Sequence, residues 1–131
     1  MIKEFLNKRY TFSIVGVSKN PKKWGYKIYK ELKSKGFNIY PINPKYDKIN
    51  YDICYPNITS LPKKPDVIII IVPPEITEKI VIECKKLGIK KIWMQPGSES
   101  KKAINFCKNN NIKIIINTCF ILNSLDEDFN D

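Results

Sequence analysis

The sequence predicts one α/β domain over residues 1–131, built on a doubly wound parallel sheet of five to six strands. Three observations carry that prediction. Short apolar runs alternate with segments of helical period, and the connections between them are short. The run Val67-Ile68-Ile69-Ile70-Ile71-Val72 is apolar and β-branched throughout, the pattern of a strand with helices on both faces. No internal repeat or linker divides the 131 residues, a length that buries roughly two thirds of its unfolded surface in one core.

The elements follow in order. Residues 11–16 form the first strand, ending at Gly16. From Trp24 to Lys35 the apolar positions Ile28 and Leu32 recur at i, i+4, and Gly36 sits where a left-handed cap belongs, so this segment is a helix. Residues 37–42 make a second strand, stopped by Pro41-Ile42-Asn43-Pro44. A short third strand at the sheet edge is expected over 51–55, followed by an irregular crossing marked by Pro56, Pro62 and Pro65. The 67–72 strand belongs at the centre. Pro73-Pro74 opens a helix with Ile76, Ile80, Cys84 and Leu87 on one face, acids in its first turn, lysines in its last, and Gly88 as its cap. Residues 91–94 form a further strand, Ser98 or Ser100 caps a helix reaching about Asn110, and 112–116 supply the last strand. The acidic tail 126–131 is expected to fray.

Composition excludes several functions. No stretch approaches the roughly 20 apolar residues of a membrane span, and the opening Met1-Ile2-Lys3-Glu4-Phe5 lacks the apolar core of a signal peptide, so a cytoplasmic protein is expected. Cys54, Cys84, Cys107 and Cys119 show no metal-binding spacing and read as reduced thiols. With no histidine, neither a Ser-His-Asp nor a Cys-His arrangement is available, and no catalytic residue or metal site is expected. The net charge of +10 raises nucleic-acid binding as a possibility, but Arg9 is the only arginine and the lysines scatter over every helix. A solvated basic surface is the preferred reading.

A fold of this kind binds ligands where the winding of the sheet reverses. With strand order 3-2-1-4-5-6, three loops converge there: 16–21, 42–46 and 72–74. In the first, Gly16-Val17-Ser18-Lys19-Asn20-Pro21 joins a strand end to a helix start, a place where backbone N–H groups attract phosphate oxygens. The pattern G-x-G-x-x-G is absent, since the next glycine is Gly25, which disfavours an ordinary NAD site. After the second strand, where NAD sites place an acid, stand Asn43, Pro44 and Lys45. A lysine there suits a phosphorylated ribose, that of NADP or of coenzyme A, and the missing glycine fingerprint tilts the choice toward coenzyme A.

The ordered set Gly16-Val17-Ser18, Gly36-Phe37, Pro41-Ile42-Asn43-Pro44, Pro65-Asp66-Val67, Val72-Pro73-Pro74, Trp93-Met94-Gln95-Pro96-Gly97 and Cys119 resembles the small stand-alone CoA-binding proteins. These are similar to the N-terminal CoA-binding domain of the succinyl-CoA synthetase alpha subunit, a Rossmann-like fold. The resemblance runs from about Thr11 to Leu122. It implies that Ser18, Lys19, Asn20 and Pro21 hold CoA phosphates, that Lys45 lies near the adenosine end, and that Val72, Pro73 and Pro74 form a wall beside the cofactor. Met94, Gln95, Pro96 and Gly97 would follow the pantetheine arm. The synthetase's phosphorylated histidine lies in a second domain without a counterpart here, so ligase activity does not transfer, and Trp24-Gly25 replaces a serine common at that helix start.

Each residue also has a purely structural alternative. Gly16 and Gly25 serve tight strand-to-helix packing, prolines start helices, and Lys45 is one of many lysines. Cys119 is either a small buried hydrophobe or a thiol able to form a mixed disulfide with the cofactor. The expectation is a non-catalytic module binding coenzyme A or an acyl-CoA, alone, as a homo-oligomer, or as the CoA-binding subunit of an acyl-CoA ligase completed by a partner. The competing class is an NAD(P)-binding enzyme or redox sensor.

Overall fold

The computed structural model describes residues 2–120, so the acidic tail lies outside the described residues. Strand β1 (Thr11–Val15) leads into helix α1 (Trp24–Ser34) and strand β2 (Asn38–Ile42). A hairpin of β3 (Lys48–Ile49) and β4 (Asp52–Ile53) and a 3-10 turn at Ile58–Ser60 precede β5 (Val67–Ile70). Helix α2 (Pro74–Leu87), β6 (Lys91–Met94), α3 (Lys101–Asn109) and β7 (Lys113–Ile115) complete the order. The main sheet runs β2-β1-β5-β6-β7 with every pairing parallel. It is the five-stranded, doubly wound Rossmann-like architecture that the sequence predicts.

Alternate residues of the central strands feed two cores. Phe12, Ile14, Val67 and Ile69 pack with Ile28, Tyr29 and Leu32 of α1. Val15, Ile68 and Ile70 pack with Ile80, Val81 and Cys84 of α2 and with Ala103 and Cys107 of α3. Ile68, Ile69 and Ile70 are all fully buried, contributing about 2 kcal/mol of burial free energy each. This is why β5 reads as an uninterrupted apolar run. The 3-10 turn at Ile2–Phe5, which the sequence reading leaves without structure, sets Phe5 edge-on against Trp93 at 6.0 Å and closes the α1 core.

One element departs from expectation. The third strand over 51–55 is not a strand of the main sheet. Asn50 takes a positive φ of 55°, which turns the chain back on itself, so 48–53 forms the separate antiparallel hairpin. Only Tyr55 remains beside β2, through a single parallel bridge to Ile42 in which Tyr55 N donates to Pro41 O at 2.9 Å. The order 3-2-1-4-5-6 survives with its outermost member reduced to one residue. The hairpin is tied to α1 by Asp52, which accepts a hydrogen bond from the Tyr29 hydroxyl and lies 3.5 Å from Lys33 Nζ. Desolvation, reinforced by that carboxylate, raises the Tyr29 pKa.

Candidate ligand-binding site at the sheet switch point

Two glycines set the site. Gly16, at the end of β1, has φ +104°, and a Cβ there would fall 2.4 Å from the Ile71 carbonyl oxygen. Gly25, in the first turn of α1, would place a Cβ 2.3 Å from the Gly16 carbonyl oxygen. Helix α1 therefore docks its first turn directly on the turn after β1. Between them, Ser18 Oγ accepts from Asn20 N at 3.0 Å and Asn20 Oδ1 accepts from Lys22 N at 3.0 Å, two successive side-chain turns that shape the loop. Lys23 is the N-cap of α1 and provides no side-chain cap, so no side chain from that position satisfies the first-turn N–H groups.

The loop after β2 is fastened to the loop after β1. Asn43 Nδ2 donates to Val17 O at 2.8 Å, while its Oδ1 accepts from Lys45 N at 2.9 Å. Lys19 Nζ lies 5.1 Å from the centre of the Tyr46 ring, a second clasp between the same two loops. Beneath them Cys54 Sγ donates to Asn43 O at 3.6 Å, and burial pushes its thiol pKa up against the lowering effects of that contact and of Lys19.

An open cleft of about 780 Å³ lies at this junction. Of the residues expected at a ligand, Gly16, Val17, Ser18, Gly25, Asn43, Lys45, Val72 and Pro73 line it together. Lys22 and Lys23 join Lys45 as its cationic members, and Glu83 is its acid. Lys19, Asn20 and Pro21 belong to the loop after β1 and Pro74 to the first turn of α2, without lining the cleft. Its volume suits a small organic ligand.

Met94, Gln95, Pro96, Gly97 and Cys119 are not brought to the cleft. Met94 and Gln95 are buried. Gln95 Nε2 donates to Cys119 Sγ at 3.2 Å and its Oε1 accepts from Phe120 N at 2.7 Å, so the amide braces the chain after β7. Ser98 hydrogen bonds to the Gln95 carbonyl at 2.7 Å, leaving Ser100 as the cap of α3 through Ala103 N at 3.1 Å. Pro96 and Gly97 remain exposed beside this region.

The cleft also extends where the sequence reading did not look. Pro56, Asn57, Ile58, Ile76, Ile80 and Glu83 also line it. Ile76 and Ile80 read as core positions of α2, yet Ile76 is 45% exposed. The signal was the crossing over 56–66, which carries no α-helix, only the 3-10 turn at Ile58–Ser60. Trp24, 56% exposed, also lines the cleft, with Lys27 Nζ 5.0 Å from its ring centre. Among the described residues no cluster of three metal-ligating side chains occurs, and no helix is long and apolar enough to cross a membrane.

Comparison with known proteins agrees with this geometry. Residues 10–124 match the model of the CoA binding domain family. The alpha subunit of an ADP-forming acetate–CoA ligase II from Pyrococcus furiosus is 32% identical over 109 residues, 78% of this chain and 24% of that one. An ADP-forming acetate–CoA ligase from Methanocaldococcus jannaschii is 42% identical over 78 residues, 60% of this chain and 11% of that one. The chain thus spans no more than about a quarter of these curated relatives. A conserved hypothetical protein from P. furiosus superposes with a TM-score of 0.83 at 38% identity, covering 87% of this chain and 98% of its own. A hypothetical protein from Pyrococcus horikoshii gives 0.86 at 30%, covering 92% and 85%. Family match, sheet order and the open switch-point crevice agree, and the chain belongs to the CoA binding domain family.

Proposed function

We propose that the cleft binds coenzyme A or an acyl-CoA and that the chain has no catalytic machinery of its own. The observation that carries this reading is the convergence of Ser18, Lys45 and Pro73 on one open cleft beside a helix start that Lys23 leaves without a side-chain cap. The helix dipole and a first turn without a side-chain cap favour an anion there, and Lys22 and Lys23 add charge, so the pyrophosphate belongs at this point. Lys45 takes the ribose 3′-phosphate. The base, attached to that same ribose, fits the apolar extension between Ile58, Ile76 and Ile80, with Glu83 available to accept from an amino group. The pantetheine arm then leaves past Pro73 toward the exposed Pro96 and Gly97, a course that uses their backbone rather than the Gln95 side chain. A cytoplasmic setting fits such a ligand.

Thermal shift against coenzyme A, acetyl-CoA, 3′-dephospho-CoA, NAD, NADP and ATP tests the reading, because a ligand selective for the folded state raises apparent stability. Coenzyme A should give the largest shift. A larger shift with NAD or NADP would install the dinucleotide reading instead.

A second reading has an observation of its own. The P. furiosus relative is one subunit of a ligase, and this chain matches only part of it, so the chain can serve as the CoA-binding component for a partner that carries the remaining domains. Co-purification with such a chain, and ligase activity only in the mixture, would support it.

A further inference from the structure

We infer that Asn43 is a positioning residue that gives the site its preference for a phosphorylated ribose, acting through Lys45 and not by touching the ligand. The inference rests on the coenzyme A reading. Both ends of the Asn43 side chain are committed within the protein, Nδ2 to Val17 O at 2.8 Å and Oδ1 to Lys45 N at 2.9 Å. Its backbone is held as well: Asn43 N donates to Tyr55 O at 2.9 Å, and Asn43 O accepts from Tyr46 N at 3.3 Å and from Cys54 Sγ at 3.6 Å. One residue therefore joins the loop after β1, the loop after β2 and the exit of the β3–β4 hairpin.

The consequence falls on Lys45. A lysine is a point charge on a flexible stem, and an exposed one spends its time dispersed through solvent. What a protein can fix is the place from which the stem departs. Pro44 holds its own φ and restricts Asn43 before it, and the Asn43 Oδ1 turn then fixes the Lys45 amide. The bond to Val17 sets that departure point relative to the first turn of α1, where the pyrophosphate is placed. In coenzyme A the separation between pyrophosphate and 3′-phosphate is a property of one ribose, so a site that fixes the matching spacing beforehand avoids an ordering cost on binding.

The test compares affinities for coenzyme A and 3′-dephospho-CoA by calorimetry in wild type, Asn43→Ala, Asn43→Ser, Lys45→Ala and the double variant Asn43→Ala/Lys45→Ala. Wild type should favour coenzyme A by about ten-fold or more, the scale of one charge-assisted contact. Asn43→Ala should lower that ratio by about five-fold, coenzyme A losing more affinity than dephospho-CoA, and adding it to Lys45→Ala should lower the ratio no further. Serine can still accept from the amide two residues on but lacks the amide N–H that reaches Val17 O, so Asn43→Ser should retain part of the preference, between alanine and wild type. It also serves if the alanine variant fails to fold: the inference then requires its ratio to fall only when its loop opens, read as amide exchange at Lys45. Equal weakening toward both ligands in Asn43→Ala, or an additive double variant, would reduce Asn43 to general loop stability and overturn the inference while leaving the coenzyme A reading intact. Failure of wild type to bind coenzyme A would remove both.

Discussion

The carboxyl edge of the sheet has two ends built on opposite principles. At the β2-β1-β5 end the loops enclose a cleft of about 780 Å³, and α1 begins without a side-chain cap. At the β6-β7 end the polar groups are paired among themselves: Gln95 with Cys119 and Phe120, Trp93 Nε1 with Thr118 O at 2.9 Å, and Ser100 with the first turn of α3. The Trp93 and Phe120 rings, 4.8 Å apart, fill what space remains. Hydrogen-bonding capacity is spent on stability at one end and held open for a ligand at the other. Small polar residues at a strand end have either fate, and what separates the two is whether the chain supplies its own partners.

The sharpest way to break this comparison is to fill the contact on which the open end rests. In Gly25→Ala the new methyl would meet the Gly16 carbonyl at 2.3 Å, a backbone atom with little freedom to retreat. Stability should fall by about 3 kcal/mol or more, the upper range for overpacking, and thermal denaturation should show it. Any surviving folded protein should bind coenzyme A poorly, because α1 would be displaced from the turn after β1. Wild-type stability and affinity in this variant would mean that the close approach has no role.

Gln95→Ala probes the closed end. It leaves the Phe120 N–H buried without its acceptor, a loss of about 1–3 kcal/mol measurable by chemical denaturation. Affinity for coenzyme A, measured where the protein is fully folded, should not change. A variant that keeps its stability and loses affinity would return the Gln95 side chain to the ligand site and erase the distinction between the two ends.

Much of this was legible beforehand, for identifiable reasons. Val67–Ile70 announces a central strand because burial on both faces demands an unbroken apolar run, and α2 displays both its ends in Pro73-Pro74 and Gly88. Ser18, Lys45 and Pro73 were placed together because the strand order alone brings their loops to one edge. Two things were not legible. The hairpin depended on Asn50 adopting a positive φ, and no Asn-Gly pair marked it. Gln95, expected beside a ligand, turns inward, and Ile76, expected on the packing face of α2, is 45% exposed at the cleft. Composition cannot say which polar residue finds a partner across the fold, since Phe120, whose N–H takes up the Gln95 Oε1, lies 25 positions away.

At the open end, Lys45→Ala should lower affinity for coenzyme A by about 1–3 kcal/mol, the range for a charge-assisted hydrogen bond, and the lower half of that range is expected because the side chain is exposed. Raising the salt concentration should shrink the difference, as exposed charges are screened. Unfolding free energy should remain within about 0.5 kcal/mol of wild type. A loss shared equally by 3′-dephospho-CoA would show that Lys45 contributes only general positive potential.

The smallest expected effects come from exchanging the cap logic of the two helices. Ser100→Ala removes the acceptor for Ala103 N and should cost about 1 kcal/mol of stability with no change in ligand affinity. Lys23→Ser does the reverse at α1, giving an uncapped helix a hydroxyl able to accept from its own first turn. Stability without ligand should rise by about 0.5 kcal/mol. Affinity for coenzyme A should fall, because the serine satisfies N–H groups that the pyrophosphate would otherwise bind and because a lysine is lost from the cleft. Lys23→Ala separates the two causes: it removes the charge without supplying a cap, so serine must weaken binding more than alanine does. Equal losses in the two variants would mean that the ligand senses only charge at this helix start and that the open N-terminus takes no part.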